Sequence, residues 1–140
     1  MAKIETIEGV GPALAKKFQG AGVRTCEKLL AEGATKKGRK ALATASGVDE
    51  KKVLAFVNCA DLMRIKGVGS EFSELLERAG VDTVKELKHR RPDNLTAKMV
   101  EVNDASIKKS KKSIVRRVPS VKEVAKWVAQ AKKLPAMVKH

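Results

Sequence analysis

The sequence predicts an all-α protein in which one helical plan occurs twice. Hydrophobic residues recur at helical spacing along the chain, and no stretch alternates polar and apolar residues as a strand would. A glycine-rich phrase of the form hydrophobic-x-Gly-hydrophobic-Gly-x occurs at residues 7–12, the first hairpin, and at 65–70, the second hairpin. A helical pattern follows each phrase, so we predict short packed helices joined by tight turns.

The first half of the chain predicts a short arm at 3–7, the first hairpin and a series of short helices. The hairpin glycines permit a sharp turn, and Pro12 suits the first helical position because no N–H is needed there. Side chains that cap free N–H groups precede the later helices, at Thr25, Thr35 and Asp49. Glycines are placed to end the helices, at Gly20 or Gly22, Gly33 and Gly47.

The second half repeats this plan. At an offset of 58, identical residues occupy nine pairs of positions: Ile7, Gly9, Val10, Gly11, Ala21, Gly22, Val23, Thr25 and Leu29 match Ile65, Gly67, Val68, Gly69, Ala79, Gly80, Val81, Thr83 and Leu87. Phe56 matches Trp127 at an offset of 71, so the second half carries 13 extra residues. Capping-box signatures occur at Thr83 with Glu86 and at Ser120 with Glu123.

These matches predict two domains. The first repeat with its trailing helices occupies 1–61. The second occupies 62–140 and holds a basic insertion at about 103–117 and a C-terminal helix. Trp127 lies in an apolar helical stripe, and we predict that it packs in the core rather than on a base because no second aromatic accompanies it.

The charge of the chain points to a polyanionic partner. Its 140 residues include 30 Lys and Arg against 16 Asp and Glu, which gives a net charge of +14. Nucleic acid is the first candidate and an anionic membrane surface the second. A solubility role for the charge remains the alternative.

Several features predict a soluble cytoplasmic protein. No run of 18 apolar residues exists, and Glu5 and Glu8 stand where a signal peptide would be apolar. Cys26 and Cys59 lie in apolar helical patterns without a CxxC motif or a neighbouring His. Buried free thiols in a reducing compartment are the interpretation we favour.

The most basic stretch is Ser106–Arg117, which contains no acid. Its Ser and Lys content predicts a mobile loop. It is either a solvated loop or a phosphate-contacting arm, and its uncompensated charges favour the arm: Lys108, Lys109, Lys111, Lys112, Arg116 and Arg117. A second basic cluster precedes an apolar helix, and the sequence leaves open whether it is an exposed helix start or a phosphate contact: Lys36, Lys37, Arg39 and Lys40.

Enzyme chemistry has little support in the sequence. The only histidines are His89 and His140, and neither has a nucleophile or carboxylate at a spacing typical of catalysis. The Gly-Val-Gly phrases lack the Lys-Ser/Thr ending of a nucleotide phosphate loop. We therefore expect no enzyme activity, no metal and no small-molecule substrate.

These residues resemble the helix-hairpin-helix motif, whose second helix begins hydrophobic-x-Gly-hydrophobic-Gly-x-x-x-Ala-x-x-hydrophobic. The first copy matches at Ile7, Gly9, Val10, Gly11, Ala15 and Phe18, and the second at Ile65, Gly67, Val68, Gly69 and Leu76, with Ser73 in the small-residue place. The longer phrases IEGVGPALAKKFQGAGVRT and MRIKGVGSEFSELLERAGVDTVKEL resemble a bacterial family of unknown function built from paired repeats of this kind. The resemblance covers essentially the whole chain and implies a SAM-domain-like helical bundle in the bacterial cytoplasm or nucleoid.

In proteins with this motif, hairpin N–H groups contact DNA phosphates without reading the sequence, and hairpin carbonyls sometimes hold a monovalent cation. The resemblance thus implies duplex DNA as the first partner and RNA as the second, with no cofactor beyond such a cation. Carried onto this chain, the contacts are Gly9, Val10, Gly11, Lys16 and Lys17, then Arg64, Lys66, Gly67, Val68, Gly69 and Ser70.

The sequence departs from a pair of equal DNA-binding hairpins. An acidic face formed by Glu71, Glu74 and Glu77 follows the second hairpin, and the first hairpin carries Glu8. Like charges close to a phosphate weaken binding. The second hairpin is then structural or binds protein. The alternative function is a SAM-like protein-interaction or self-assembly module without a nucleic-acid role.

Overall fold

The computed structural model describes residues 2–7 and 9–139, and these residues form a helical protein. They contain a 3-10 turn at Ile4–Thr6 and an isolated antiparallel bridge between Lys3 and Thr25. The helices are α1 (Pro12–Gly20), α2 (Cys26–Gly33), α3 (Lys36–Ser46), α4 (Glu50–Leu62), α5 (Ser70–Arg78), α6 (Val84–Leu87), α7 (Pro92–Ser110) and α8 (Val121–Lys133). The predicted all-α class is confirmed.

The chain divides into two compact units. The first consists of Met1–Asp61 with Ala136–His140, and the second of Leu62–Pro135. The predicted domains at 1–61 and 62–140 rest on sequence similarity between the two halves. The division into compact units rests on contacts and does not test that similarity. No helix among the described residues is long and apolar enough to cross a membrane.

Aromatic and aliphatic side chains from all its helices form the core of the first unit. Phe18 is fully buried and meets Phe56 edge to face, with ring centroids 6.0 Å apart. Gly33, the last residue of α2, lies so close to the Val57 side chain that a methyl group would clash there. Other buried members are Ile4, Ile7, Val10, Val23, Leu29, Leu42 and Val53.

A segment near the end of the chain, residues 136–139, completes the first unit. Val138 is buried, and the Lys139 N–H donates to the Ala34 carbonyl at 2.7 Å. The Lys139 carbonyl in turn accepts from Arg39 Nη2 at 2.7 Å. Sequence patterns did not predict this return because it joins residues 100 positions apart.

One hydrophobic cluster forms the core of the second unit. Its members come from every helix of the unit and include Leu75, Leu76, Leu87, Met99 and Trp127. The Trp127 side chain is only 3% exposed, so its predicted core position is confirmed. Its ring centroid lies 5.2 Å from that of Phe72, which corrects the expectation that no second aromatic accompanies it.

Helix caps follow the sequence signals closely. The side chains of Thr25, Thr35 and Thr83 accept hydrogen bonds from N–H groups in the first turns of α2, α3 and α6. Ser120 and Glu123 form the predicted reciprocal capping box at the start of α8. Gly47 ends α3 with φ +74°, a conformation that glycine adopts without strain.

The thiol prediction is confirmed for one cysteine and holds only in part for the other. Neither cysteine forms a disulfide, and Cys26 is buried whereas Cys59 is half-buried. Burial raises the pKa of the Cys26 thiol, and the nearby Thr6 hydroxyl partly opposes this rise.

Candidate nucleic-acid interface

The first hairpin is a tight turn that leads directly into α1. The Val10 N–H donates to the Ile7 carbonyl at 3.1 Å, and both side chains are buried. Gly9 adopts φ +89°, which explains the glycine there. The turn itself uses the Val10 N–H, so this group is less available to a phosphate than a free N–H, and the contact at Gly9, Val10 and Gly11 stays a prediction. Glu8 lies outside the described residues.

The available donors of the first hairpin lie one step further along the chain. The first helical bond of α1 joins the Ala15 N–H to the Gly11 carbonyl at 2.9 Å. The N–H groups of Gly11, Ala13 and Leu14 precede that bond and point out of the helix end. No side chain caps this end, and its first turn contains no acid. The first turn of α1 therefore carries no acid of its own to offset the positive end of the helix dipole, and Glu5 from the preceding segment lies beside Pro12 and Ala13.

The predicted lysines of α1 remain on the surface. Lys16 and Lys17 are both exposed, and neither has an ion pair within the described part of the chain. Lys16 lines a shallow depression together with Pro12, Ala13 and Glu5. Both side chains are therefore free to reach a phosphate that approaches the start of α1.

The second hairpin has the same backbone geometry as the first. The Val68 N–H donates to the Ile65 carbonyl at 3.0 Å, and Gly67 adopts φ +97°. The first bond of α5 joins the Ser73 N–H to the Gly69 carbonyl at 2.9 Å. As in the first hairpin, the turn uses the valine N–H, and the contact through Val68 stays a prediction.

The surroundings of the second hairpin differ because α8 holds it in place. Gln130 accepts from the Lys66 N–H at 2.9 Å and donates to the Lys66 carbonyl at 3.2 Å. Trp127 lies against Gly67, where an added Cβ would come within 3.1 Å of the indole Nε1 atom. Arg64 Nη2 donates to the Pro135 carbonyl at 2.9 Å. Arg64, a predicted phosphate contact, thus makes an internal hydrogen bond through its side chain. Lys66, another predicted contact, makes internal hydrogen bonds through its backbone N–H and carbonyl groups.

The predicted acidic face is present beside the second hairpin. Glu71 lies in the first turn of α5, and Glu74 pairs with Arg78 at 3.1 Å. Desolvation raises the pKa of Glu77, and the nearby charges of Asp82 and Glu74 raise it further. The first turn of α5 therefore offers less attraction to a phosphate than the first turn of α1.

The basic insertion is ordered, which corrects the prediction of a mobile loop. Helix α7 continues to Ser110, and Lys111 ends it in the left-handed conformation with φ +59°. The buried Asn103 side chain accepts from the N–H groups of Ile114 and Val115 at 2.8 and 3.2 Å. Ser106 Oγ donates to the Lys112 carbonyl at 2.8 Å. Asn103 gave no signal in the sequence because its partners lie 11 and 12 residues away.

The basic residues of this insertion have different environments. Lys108, Lys109, Lys111 and Lys112, the lysine cluster, are exposed, and no acid among the described residues forms an ion pair with them. Arg116 is exposed as well. Arg117 donates to both oxygens of Glu123, at 2.6 and 3.1 Å, and lies 5.9 Å from the Phe72 ring centroid. Arg117 therefore already has a carboxylate partner, with which a phosphate would compete.

Glu123 shares its carboxylate between two partners. The hydrogen bond from Arg117 is the main cause that lowers its pKa to about 2, and the Ser120 backbone N–H adds to the effect. The same carboxylate completes the capping box of α8. This ion pair belongs to the framework of the second unit.

The second basic cluster separates into a buried and an exposed part. Arg39 is only 3% exposed and donates to the carbonyls of Gly33, Ala34 and Lys139. It therefore caps the end of α2, as a cation at a helix C-terminus should. Lys36, Lys37 and Lys40 are exposed.

The side chains that commonly bind metals do not come together in the described ranges. Within 2–7 and 9–139, no cluster of three or more His, Cys, Asp or Glu side chains could hold a metal ion. His89 is exposed, and His140 lies outside those ranges.

The fold and the surface define a basic, all-helical protein with two units, and comparison with protein families identifies it further. A family described as a domain of unknown function, DUF4332, matches residues 8–134, so the chain belongs to that family. Searches of curated proteins and of solved structures found no match.

Proposed function

We propose that this protein binds nucleic acid, duplex DNA first and structured RNA second, through the sugar-phosphate backbone without reading the bases. The observation that carries the proposal is the lysine cluster, which stands exposed and without ion pairs on an ordered helix end. Hydrogen bonds hold the backbone next to these lysines, so mainly their side chains lose conformational freedom when they meet phosphates. The proposal includes a location in the bacterial cytoplasm or nucleoid.

The two hairpins support this proposal if they are copies of one helix-hairpin-helix unit. Their turn bonds, positive φ glycines and helix starts agree pair by pair at an offset of 58. The agreement continues through a shared bond from valine to the preceding helix, Val23 to Phe18 and Val81 to Leu76, both at 2.8 Å. An internally duplicated, SAM-like arrangement is our interpretation of this agreement. A monovalent cation at a hairpin remains a prediction of the resemblance.

Within this interpretation, the first hairpin is the one that contacts phosphate. Its helix start combines N–H groups, an uncapped dipole and the exposed Lys16 and Lys17. The contact set shifts from the predicted Gly9, Val10 and Gly11 towards Gly11, Ala13 and Leu14. The second hairpin, with Gly67, Val68, Gly69 and Ser70, serves the packing of its own unit.

The aromatic residues favour a duplex over a single strand. Proteins that bind single strands usually stack bases on exposed aromatic rings. Here Phe18 and Trp127 are buried, and Phe56 and Phe72 are half-buried against other rings. The chain has no tyrosine. Backbone contacts to a duplex need no such platform.

The experiment is fluorescence anisotropy with labelled duplex DNA, single-stranded DNA and RNA across a salt series. Changing all four residues of the lysine cluster to Ala should weaken duplex binding and reduce the slope of log K against log salt by about 3 to 4. The matched control changes four exposed lysines of α8 to Ala and leaves the same net charge: Lys122, Lys126, Lys132 and Lys133. The control should lose less affinity. Absence of binding at low salt, or equal losses in both variants, contradicts the proposal.

A protein-interaction module is the second candidate, and the acidic face favours it. Glu71, Glu74 and Glu77 offer a negative surface on α5 that a basic surface of another copy could meet. Size-exclusion chromatography at low and high salt separates the candidates. A concentration-dependent oligomer that binds no DNA would support the module and overturn the nucleic-acid proposal.

A further inference from the structure

A groove between α3 and α4 in the first unit has no role in the proposed DNA contact. Its volume is about 570 Å³, within the range of small-molecule sites. Three of its lining residues come from α3, one directly precedes α4 and three belong to α4: Lys36, Arg39 and Lys40, then Asp49, then Glu50, Lys51 and Leu54.

One wall of the groove is cationic. Lys36 and Lys40 are four positions apart on α3 and thus lie on one face of the helix. Both are exposed, as is Lys51 across the groove. None of the three forms an ion pair with another described residue. Lys37 is equally exposed but does not line the groove.

Arg39 contributes a fixed positive charge at the base of this wall. Its guanidinium donates to carbonyls at 2.9, 3.3 and 2.7 Å, and in the described ranges it has no ion pair with a carboxylate. These carbonyls orient the group and partly compensate its charge, so Arg39 contributes to the groove through its longer-range field. With four cations against two carboxylates in the lining, the groove has a net positive charge.

The opposite wall of the groove suits the uncharged part of a ligand rather than its anionic group. Asp49 and Glu50 present carboxylates that accept hydrogen bonds from hydroxyl or amino groups. Leu54 is half-buried and adds apolar surface one turn further along α4. An anionic group at one side and a polar, partly apolar body at the other are the features of a nucleotide.

We propose that this groove binds a mononucleotide. The phosphate lies between Lys36 and Lys40 above Arg39, the sugar hydroxyls donate to Asp49 or Glu50, and the base lies against Leu54. This assigns the basic cluster that the sequence left open, and it adds a ligand where no small-molecule substrate was expected. The proposal concerns binding alone and does not depend on the proposed DNA contact.

Isothermal titration calorimetry with AMP, adenosine and inorganic phosphate tests the proposal. AMP should bind saturably, and adenosine and phosphate should each bind at least about tenfold more weakly, because each lacks half of the contacts. Lys36→Ala with Lys40→Ala should weaken AMP binding by at least about tenfold, whereas Lys37→Ala should stay within about twofold. Asp49→Asn should weaken AMP but not phosphate. Circular dichroism checks that each variant is folded.

Several outcomes would overturn the proposal. If AMP gives no saturable heat at millimolar concentration, the groove does not bind a mononucleotide. Phosphate that binds as tightly as AMP, or a Lys37→Ala loss equal to that of the double variant, reduces the groove to a general anion-attracting surface. The Ala variant of the lysine cluster should keep its AMP affinity, so a failure of DNA binding and a failure of this site remain distinguishable.

Discussion

The two hairpins have the same backbone but different neighbours. In each, a valine N–H closes the turn, a glycine takes positive φ, and a nine-residue helix begins after a second glycine. The first hairpin ends in an acid-free helix start. The second is held by Gln130, lies against Trp127 and leads into an acidic helix. The residues that form a turn thus do not decide what the turn contacts.

The difference arises from single residues far away in the sequence. Gln130 holds both polar groups of the Lys66 peptide, and the aligned position in the first half is Cys59. A thiol is a weaker hydrogen-bond donor and acceptor than an amide. The backbone of the second hairpin thus depends on a side chain that lies 64 residues away in the sequence.

The largest expected effect comes from the aromatic residue behind each hairpin. Trp127→Ala should reduce the free energy of unfolding by about 3–5 kcal/mol, since the ring is buried between Gly67 and Phe72. Phe56→Ala should cost less, because Phe56 is only half-buried. Urea denaturation followed by circular dichroism measures both changes. An equal or larger cost for Phe56→Ala would mean that the first hairpin is anchored as firmly as the second.

A smaller loss of stability is expected when the Gln130 side-chain amide, which holds the second hairpin, is removed. Gln130→Ala removes both bonds to Lys66 and should cost about 1 kcal/mol, since the site is solvent-exposed. Hydrogen exchange of the Lys66 amide should become faster. Lys132→Ala, an exposed change on the same helix, is the control and should leave that exchange rate unchanged. An unchanged exchange rate of the Lys66 amide in Gln130→Ala would show that Gln130 does not hold the second hairpin.

The smallest effect concerns pH and the pair of Arg117 with Glu123. Because the folded-state pKa of Glu123 is lowered from 4.5 to about 2, its contribution to stability is fully present above pH 4.5. That contribution is lost as pH falls from 4.5 towards 2. The difference in free energy of unfolding between the unchanged protein and Glu123→Gln should shrink over this range. Urea denaturation at several pH values would measure it. A difference that stays constant would show that Arg117 does not hold this carboxylate.

The sequence predicted those parts of the fold that depend on local chemistry. The capping threonines, the Ser120 box and the helix that begins at Pro12 all arise from contacts within a few residues. The valine-centred turns have the expected glycines but use the valine N–H groups internally. Contacts across long separations were missed: Arg39 to Lys139, Gln130 to Lys66 and Phe72 to Trp127.

The error over the basic insertion has a physical explanation. Composition alone suggested disorder, yet lysine is a good helix former and is favourable near a helix C-terminus. Lys108 and Lys109 lie in the last turn of α7, and Asn103 then secures the chain beyond it. The bond from Ser106 to Lys112 and the buried Val115 side chain hold the same segment.

The most direct test of the account is an NMR titration with duplex DNA that follows the amides of both helix starts. We expect saturable shifts for Gly11, Ala13 and Leu14 in the first hairpin, together with the lysine cluster. The corresponding amides of Gly69, Glu71 and Phe72 should stay nearly unchanged. Binding that shifts the second set as strongly as the first, or that leaves the first unmoved, would contradict the assignment of different roles to the two hairpins.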